Sequence, residues 1–367
     1  MAHAHAEPLV SFKGVQKSYD GVNLVVKNLN LDIHQGEFLS LLGPSGSGKT
    51  TCLMMLAGFE FPTSGDIFLD QQRLNNVPPH KRNIGMVFQN YALFPHMTVE
   101  KNLEYPLRVR KIAPAQRAKR IAEALAMVQM SAFSKRYPAQ LSGGQQQRIA
   151  LARALVFDPK LVLMDEPLGA LDKQLREHMQ LELKALHKKL GITFVYVTHD
   201  QSEALTMSDR VAVFDQGIIQ QISSVHTLYE SPCNRFVAGF VGDCNQFQGV
   251  VQSNADDRCT VRLASGMMLA GINVNQTQVG ATCVLTMRPE RLRLVDPHAS
   301  HDGNVLKARA LDPVYFGDHV RLRCSIAEAP PFFVKLPLGD SGTIQSLSYD
   351  SDILLHIPPE HVRVFSL

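Results

Sequence analysis

One short string constrains this chain more than any other feature. GPSGSGKT at residues 43–50 matches the pattern G-x-x-x-x-G-K-[S/T], and it completes an apolar run, FLSLLG at 38–43. A buried strand that feeds such a loop and then a helix places a nest of backbone amides around phosphate oxygens, at the positive end of the helix. An ordinary glycine-rich turn is the alternative, but the strand–loop–helix context favours a phosphate loop.

The residues of this loop have separate expected roles. Lys49 can reach the β- and γ-phosphates of a nucleotide, and Thr50 can offer its hydroxyl to Mg²⁺. The expected nucleotide contacts in this segment are Gly43, Pro44, Ser45, Gly46, Ser47, Gly48, Lys49, Thr50 and Thr51.

A second apolar run, LVLMDEP at 161–167, ends in two carboxylates. At the carboxyl end of a buried strand, Asp165 would lie beside the phosphate loop and hold Mg²⁺ through water. Glu166 would then face the γ-phosphate and polarise an attacking water. An Asp-Glu pair after a strand is usually a solvated turn, and it is the upstream phosphate loop that favours the catalytic interpretation.

Strand and helix patterns alternate through the first 240 residues, which predicts an α/β fold with a mainly parallel sheet. One helical face is especially clear, because apolar residues recur at helical spacing on a polar background. They are Leu171, Leu175, Met179, Leu183, Leu186 and Leu190. Strands are predicted at 9–19, 24–33, 38–43, 84–88, 160–165 and 192–198.

The pattern changes after about residue 240, where short alternating strands follow one another between Gly, Asn, Asp and Pro. This favours a small all-β module of one or two barrels. The predicted domains are therefore 1–240, with a helical subdomain at about 90–156, and 241–367.

Composition excludes several classes of protein. The chain has 37 Lys and Arg, 34 Asp and Glu and 45% hydrophobic residues, which excludes intrinsic disorder, and it lacks an uninterrupted apolar run long enough to span a membrane. Residues 241–367 hold 11 basic and 13 acidic side chains, so a nucleic-acid partner is not expected. Six scattered cysteines favour reduced thiols, and His3 and His5 are expected to belong to a functionless tail that lacks a signal-peptide layout.

LSGGQQQR at 141–148 is locally a helix start, with Ser142 as the cap. This string, placed between the phosphate loop and the strand that ends in Asp-Glu, is the signature of the ATP-binding-cassette ATPases, which the first 240 residues or so resemble throughout. The resemblance implies that two copies pair head to tail around ATP and Mg²⁺. Each copy would cover the partner's nucleotide with Ser142, Gly143, Gly144 and Gln145.

The resemblance also implies roles for residues that the patterns alone leave ambiguous. Gln89 would contact the metal or its water, so that the implied Mg²⁺ ligands are Thr50, Gln89 and Asp165. Tyr19 would stack on adenine, although an isolated strand tyrosine is more often part of a core. Asp172 would cross the dimer seam, and His199 would hydrogen-bond the γ-phosphate. The implied catalytic residues are Glu166, His199, Lys49 and Gln89.

Residues 207–242 and the β tail resemble the importer ATPases that carry a C-terminal TOBE or OB-like barrel, as do MRPE at 287–290 and YFGDHVRLR at 315–323. THDQSEALTMSDRVAVF at 198–214 is most similar to spermidine/putrescine importers, with ferric-iron and sugar importers as alternatives. Ser224, Val225 and His226 depart from the Gly-x-Pro that these proteins often have, which weakens the subfamily assignment.

The importer resemblance implies two permease subunits, an extracytoplasmic solute-binding protein and a place on the cytoplasmic face of the bacterial inner membrane. The surface around Gln89 and residues 90–110 would dock on the permeases. The candidates for that contact are Tyr91, Leu93, Phe94 and Met97, with Pro95 shaping the loop. Basic residues from Arg108 to Arg120 favour a solvated helix face over contact with anionic headgroups. A soluble cassette acting on nucleic acid is the rival from another class.

Overall fold

The computed structural model describes residues 7–296, 303–340 and 350–367, and His3 and His5 lie outside them. The chain divides into two compact units, Met1–Val225 and His226–Leu367. All six cysteines lie within the described ranges, and all six are free thiols. No helix in these ranges is both long and apolar enough to cross a membrane.

A six-stranded sheet forms the centre of the first unit. Its order is β10-β9-β3-β8-β7-β6, and every pairing is parallel except that of β9 with β10. The strands of this unit are β1 (Val10–Ser18), β2 (Leu24–Ile33), β3 (Phe38–Leu42), β4 (Ser64–Leu69), β5 (Gln72–Arg73), β6 (Ile84–Val87), β7 (Leu161–Asp165), β8 (Thr193–Thr198), β9 (Arg210–Asp215) and β10 (Ile218–Ser224). The predicted parallel α/β architecture is confirmed.

Strands β3, β7 and β8 are buried along their whole length, because helices cover both faces of a parallel sheet. Strands β1, β2, β4 and β5 form a separate antiparallel sheet in the order β2-β1-β4-β5. The sequence predicts two of these four strands but not their separation from the central sheet.

From residue 7 onwards, the first unit contains six helices: α1 (Lys49–Ala57), α2 (Val99–Val109), α3 (Pro114–Met127), α4 (Gly143–Leu155), α5 (Lys173–Leu190) and α6 (Gln201–Met207). The predicted apolar face of α5 is present, with Met179 and Leu183 fully buried. Helices α2, α3 and α4 share a small core of their own that includes Leu103, Leu125 and Ile149.

The second unit contains two short helices, α7 (Val225–Glu230) and α8 (Arg235–Phe240), and otherwise strands and 3₁₀ turns among its described residues. The strands are β11 (Asn245–Ala255), β12 (Arg258–Leu263), β13 (Met268–Asn273), β14 (Thr282–Met287), β15 (Arg293–Leu294), β16 (Asn304–Tyr315), β17 (His319–Ser325), β18 (Phe332–Pro337), β19 (Ser351–Ile357) and β20 (Val362–Ser366).

These strands form one closed barrel, β11-β12-β13-β20-β14, and one open sheet, β15-β19-β16-β17-β18. Two buried asparagines join them by imitating strand hydrogen bonds. The Asn245 amide exchanges both of its hydrogen bonds with the backbone of Phe333, and the Asn304 amide does the same with Ala270. Across its described residues, the all-β module is therefore a single barrel with a sheet inserted between its last two strands.

The two compact units meet in the chain at residue 225, whereas the sequence places the domain boundary at 240. Helices α7 and α8 pack with the β strands, and Arg288 explains why. Its guanidinium donates hydrogen bonds to the carbonyls of Ala238, Asp243 and Tyr229. The MRPE segment thus anchors these helices, which a pattern search assigns to the preceding α/β region.

Candidate functional site

Four neighbouring strands of the central sheet deliver the candidate residues to one edge. The phosphate loop follows β3 and His199 follows β8. Asp165 ends β7, Glu166 comes directly after it, and Gln89 lies two residues after β6. Because β3, β8, β7 and β6 are adjacent and parallel, their carboxyl ends form one edge, where ligands of open α/β sheets bind.

The phosphate loop has a backbone that only glycine adopts without strain at two positions. Gly46 and Gly48 have φ values of 79° and 100°, and Gly48 is the N-cap of α1. A side chain at Gly43 would also be excluded, since its Cβ would lie 2.3 Å from the carbonyl oxygen of Phe214. The loop leaves Ser45, Gly46 and Thr50 exposed, while Pro44 and Thr51 are half-buried.

The ammonium group of Lys49 is buried inside the loop. Its Nζ donates to the carbonyl oxygens of Gly43 and Pro44, at 2.9 and 2.8 Å, and to the Ser47 hydroxyl at 3.2 Å. Burial lowers the pKa of Lys49, while the carboxylates of Glu166 and Asp165 act in the opposite direction. The side chain is therefore held at the base of the loop, where its amino group interacts electrostatically with both carboxylates.

Thr50 and Asp165 form a direct pair. The Thr50 hydroxyl donates to Asp165 Oδ1 at 3.0 Å. Burial raises the pKa of Asp165, and the hydrogen bond from Thr50 lowers it. A hydroxyl beside a carboxylate offers the oxygen donors that Mg²⁺ prefers.

Glu166 lies between Gln89 and His199. One carboxylate oxygen lies 3.1 Å from His199 Nδ1, and the other accepts a 3.5 Å hydrogen bond from Gln89 Nε2. The backbone of Glu166 is left-handed, with φ at 44°, and its N–H donates to the carbonyl of Val197 on the neighbouring strand β8. Such a conformation is costly in a residue other than glycine and clusters at functional sites.

The residues expected to face a second copy form a separate group within one chain. Ser142 and Gln145 make a capping box at the start of α4, with hydrogen bonds of 3.4 and 3.0 Å. Asp172 caps α5 by accepting from the N–H of Leu175. A Cβ on Gly143 or Gly144 would lie 3.2–3.3 Å from Leu171 or Leu175, so the two helix starts pack closely together.

Tyr19 lies on the surface rather than in a core. Its side chain is 60% exposed, and Lys17 Nζ lies 4.7 Å from the ring centroid. The core alternative for this tyrosine is therefore wrong, and the ring is free to stack on a planar ligand.

An apolar groove of about 580 Å³ lies beside Gln89, in the region expected to meet permeases. It is lined chiefly by aromatic and aliphatic side chains, among them Phe59, Phe88, Phe94, Tyr105, Val109 and Phe157. The prediction of an exposed Tyr91 is wrong, because the side chain is only 6% exposed and belongs to the core. Arg153 fixes this turn by donating to the carbonyls of Tyr91 and Ala92.

Three of the six basic residues from Arg108 to Arg120 make contacts within the chain. The Arg110 guanidinium lies 3.5 Å from the centroid of the Phe157 ring, Arg117 pairs with Glu104, and Lys119 pairs with Glu123. The exposed pair of Lys119 and Glu123 agrees with the solvated helix face that the sequence favours, whereas Arg110 packs on an aromatic ring.

A buried polar group that the sequence motifs do not include lies behind His199. Glu203 is 4% exposed and accepts hydrogen bonds from the hydroxyls of Tyr196 and Thr198, both at 2.7 Å. Arg176 pairs with Asp200 and approaches Glu203. The capping pattern D-x-x-E at 200–203 was the local signal, since an acidic N-cap followed by Glu marks a helix start.

Comparisons with known proteins agree with this geometry. The ABC transporter family matches residues 26–169, and the TOBE domain family matches residues 285–365. A spermidine/putrescine import ATP-binding protein from Rubrobacter xylanophilus is 49% identical over 310 residues, which cover 84% of this chain and 81% of the relative. Its counterpart from Methylococcus capsulatus is 46% identical over 357 residues, covering 97% and 89%.

Among solved structures, the dimer of an ATP-binding cassette in a post-hydrolysis state bound to ADP and Pi is 36% identical, with a TM-score of 0.52. The match covers 59% of this chain and 98% of that cassette. Similarity thus extends from the phosphate loop to the final strand of the second unit, and the chain belongs to the ATP-hydrolysing subunits of the ABC transporter family that carry a TOBE domain.

Proposed function

We propose that this chain hydrolyses Mg·ATP at the edge formed by β3, β6, β7 and β8, and thereby powers the import of a polyamine through partner permeases. The observation that carries the chemistry is the position of Glu166. Its carboxylate lies between His199 and Gln89, adjacent to the strand end that carries Asp165. A general base needs this combination of a fixed position and an accessible oxygen.

Each residue of the cluster has one proposed task. The amides of residues 43–51 and the Lys49 ammonium bind the β- and γ-phosphates. Glu166 accepts a hydrogen bond from the attacking water and polarises it, while His199 hydrogen-bonds the γ-phosphate. Tyr19 stacks on adenine. This division of tasks leaves bond cleavage to positioning and charge, as in other phosphoryl-transfer enzymes.

The proposed Mg²⁺ ligands are Thr50, Asp165 and Gln89, and their chemistry fits that ion. All three offer oxygen donors, and the Thr50 hydroxyl already touches the Asp165 carboxylate. Mg²⁺ is commonly held by one or two carboxylates together with nucleotide phosphates. When bound, the ion would neutralise phosphate charge during the reaction.

A second copy of the chain completes each site in this proposal. Ser142, Gly143, Gly144 and Gln145 of one copy would cover the nucleotide bound by the other, and Asp172 would lie at the seam. The exposure of Ser142 and Gly143 supports this arrangement. Helix starts suit the task because their amide groups attract anions.

The groove beside Gln89 is the proposed permease contact. Phe88 lines it and immediately precedes Gln89, so a helix seated there would lie one residue from a group that touches Glu166. Phe94 and Pro95 are accessible for this contact, whereas Tyr91 is not. Docking here would place the chain on the cytoplasmic face of the membrane, with a solute-binding protein acting through the permeases from the other side.

A polyamine is the proposed solute because the relatives named above are spermidine/putrescine import proteins. Ferric iron or a sugar is the alternative. The test is reconstitution of this chain with its partner permeases and solute-binding protein in liposomes. Stimulation of ATP hydrolysis by spermidine or putrescine is expected. Stimulation by ferric ion or a sugar alone would contradict the solute, and stimulation by nucleic acid without permeases would contradict the importer.

A further inference from the structure

We propose that Arg176 is a positioning residue for ATP hydrolysis, because its guanidinium ties the segment after Glu166 to the turn that carries His199. The inference rests on the proposed function, since it takes His199 as the group that contacts the γ-phosphate. It adds a residue whose effect is exerted through His199, without contact to the nucleotide.

The guanidinium bridges two segments that come from neighbouring strands. Arg176 lies one turn into α5, and its Nη2 donates to the carbonyl oxygen of Leu171 at 3.0 Å. Its Nη1 donates to Asp200 Oδ2 at 3.2 Å, and its Nε lies 3.8 Å from Glu203 Oε1. One side chain therefore holds the residue before Asp172 and the residue after His199.

The turn around His199 depends on the same two carboxylates. Thr198 donates its hydroxyl to Glu203 and accepts from the N–H of Asp200 at 2.9 Å. Asp200 Oδ1 accepts from the N–H groups of Ser202 and Glu203, which starts α6. Thr198 and Asp200, on either side of His199, are thus held by hydrogen bonds that involve the Asp200 and Glu203 carboxylates. The His199 side chain itself remains 57% exposed.

Charge makes Arg176 important to this arrangement. Asp200 and Glu203 lie on the same turn, and burial raises the pKa of Glu203 while the hydrogen bonds from Thr198 and Tyr196 lower it. Among the ion pairs between described residues, those of Arg176 are the ones that join these two carboxylates to a cation. Removing the guanidinium would leave a buried carboxylate without its counter-charge.

Arg176 does more than support the turn that carries His199, because it also contacts Leu171 in a different segment. Leu171 precedes Asp172, which caps α5 and is proposed to lie at the seam with a second copy. A shift of this segment on pairing would move the Leu171 carbonyl, and the rigid guanidinium would pass the shift to Asp200 and His199. Arg176 would therefore link the arrival of the partner to the position of His199.

The principal variant is Arg176→Gln in the full-length chain, studied by steady-state hydrolysis of Mg·ATP. We expect kcat to fall about 10- to 100-fold, since small misplacement of a reacting group costs rates of this order. The dissociation constant of ATP should stay within about threefold of the parent, because Arg176 does not touch the phosphate loop. The kcat of Arg176→Lys should lie between those of the parent and Arg176→Gln, since lysine keeps the positive charge but loses the planar guanidinium that contacts several acceptors at once.

The chain offers a closely matched control in Arg210. This side chain is 29% exposed and pairs with Glu37, which is 6% exposed, whereas Arg176 is 29% exposed and approaches Glu203 at 4%. Arg210 begins β9, at the opposite end of the sheet from the phosphate loop. Arg210→Gln should lower stability to a similar degree and leave kcat near that of the parent when both variants are folded, as checked by thermal melting.

A double variant tests whether the effect passes through His199. If it does, Arg176→Gln should not slow the His199→Ala variant further, because the imidazole that Arg176 positions is already absent from that variant. Equal rates for Arg176→Gln and Arg210→Gln, a loss confined to ATP affinity, or fully multiplicative effects with His199→Ala would overturn the inference. Wild-type kcat in His199→Ala alone would instead contradict the proposed site, so the two failures are distinguishable.

Discussion

Glu166 shows how a single residue can be placed for chemistry at the expense of its own backbone. Its left-handed φ of 44° is maintained by the hydrogen bond from its N–H to Val197 and by the turn bond from Gly169 N–H to its carbonyl. These bonds direct the side chain towards His199 and Gln89 instead of into the sheet. The strain is thus compensated by neighbours that belong to β8 and to the following loop.

Replacing Glu166 by Gln should retain ATP binding and remove hydrolysis. The amide keeps the shape of the side chain but loses the charge that polarises water, a contribution of roughly 10²–10⁴ in rate. ATP should then hold two copies together, which light scattering after gel filtration would detect as an ATP-dependent dimer. Near-normal turnover by Glu166→Gln would show that another group activates the water.

At the scale of the element, α1 is a nine-residue helix whose amino and carboxyl ends are stabilised in different ways. Its start lies in the phosphate loop at Gly48, and its end meets the buried guanidinium of Arg82. Arg82 donates to the carbonyls of Met55 and Leu56 in the last turn, and also to those of Leu74 and Val77. The cation suits this place because the carboxyl end of a helix is partially negative.

Arg82→Met should destabilise the first unit by about 2–4 kcal/mol. Each buried carbonyl left without a donor costs on the order of 1–3 kcal/mol, and part of this is returned because a charge is no longer buried. Urea unfolding of the full chain, followed by circular dichroism, measures the change. Arg73→Met is the control, because its ion pair with Asp66 lies on the surface and should contribute less than about 1 kcal/mol. Equal effects of the two substitutions would refute this role for Arg82.

The elements that could be predicted are those whose signal is local. The phosphate loop, the strand ending at Asp165 and the apolar face of α5 each lie within one contiguous segment, so their residue order is sufficient. Arg82 and Tyr91 could not be placed in this way. Arg82 lies in a polar stretch that resembles an exposed turn, and Tyr91 is buried by residues distant in the chain. Their surroundings depend on tertiary packing, which no local pattern reports.

The same limit applied to the second unit. Its individual strands were recognisable from alternation, but whether they form one barrel or two depends on pairings such as β14 with β20, which are far apart in the chain. The roles of Asn245 and Asn304 could not be predicted either. Asparagine is common in surface loops, and nothing in the local sequence distinguishes such a residue from a buried asparagine whose amide pairs with a strand.

At the scale of the whole molecule, the proposed pairing of Ser142 of one copy with the nucleotide bound by the other makes a prediction about mixed dimers. A Lys49→Ala chain mixed with a Ser142→Arg chain can form a dimer with one undamaged composite site and one doubly damaged site. Equal mixing should restore hydrolysis to at most about a quarter of the wild-type rate, because half of the dimers are mixed and each has one intact site.

The formation of mixed dimers must be shown with two different affinity tags. Each parent variant must also melt cooperatively, and the Ser142→Arg chain, whose phosphate loop is undamaged, must still bind ATP. Hydrolysis equal to the sum of the two parents, in a sample with proven mixed dimers, would mean that each chain holds a complete site. Partial dependence of each site on the other would lower the recovery below a quarter and still leave a difference between mixed and parental samples.

The position of β20 in the barrel has a consequence for folding of the chain during its synthesis on the ribosome. β20 lies between β13 and β14 in the barrel, yet the inserted sheet is translated before it. Amino-terminal segments emerge and fold first, so β13 and β14 are left as open edges until Val362 has been made. Unpaired edges readily add strands from other chains. The interval between the synthesis of Met287 and that of Val362 is therefore when a nascent copy is most vulnerable to aggregation.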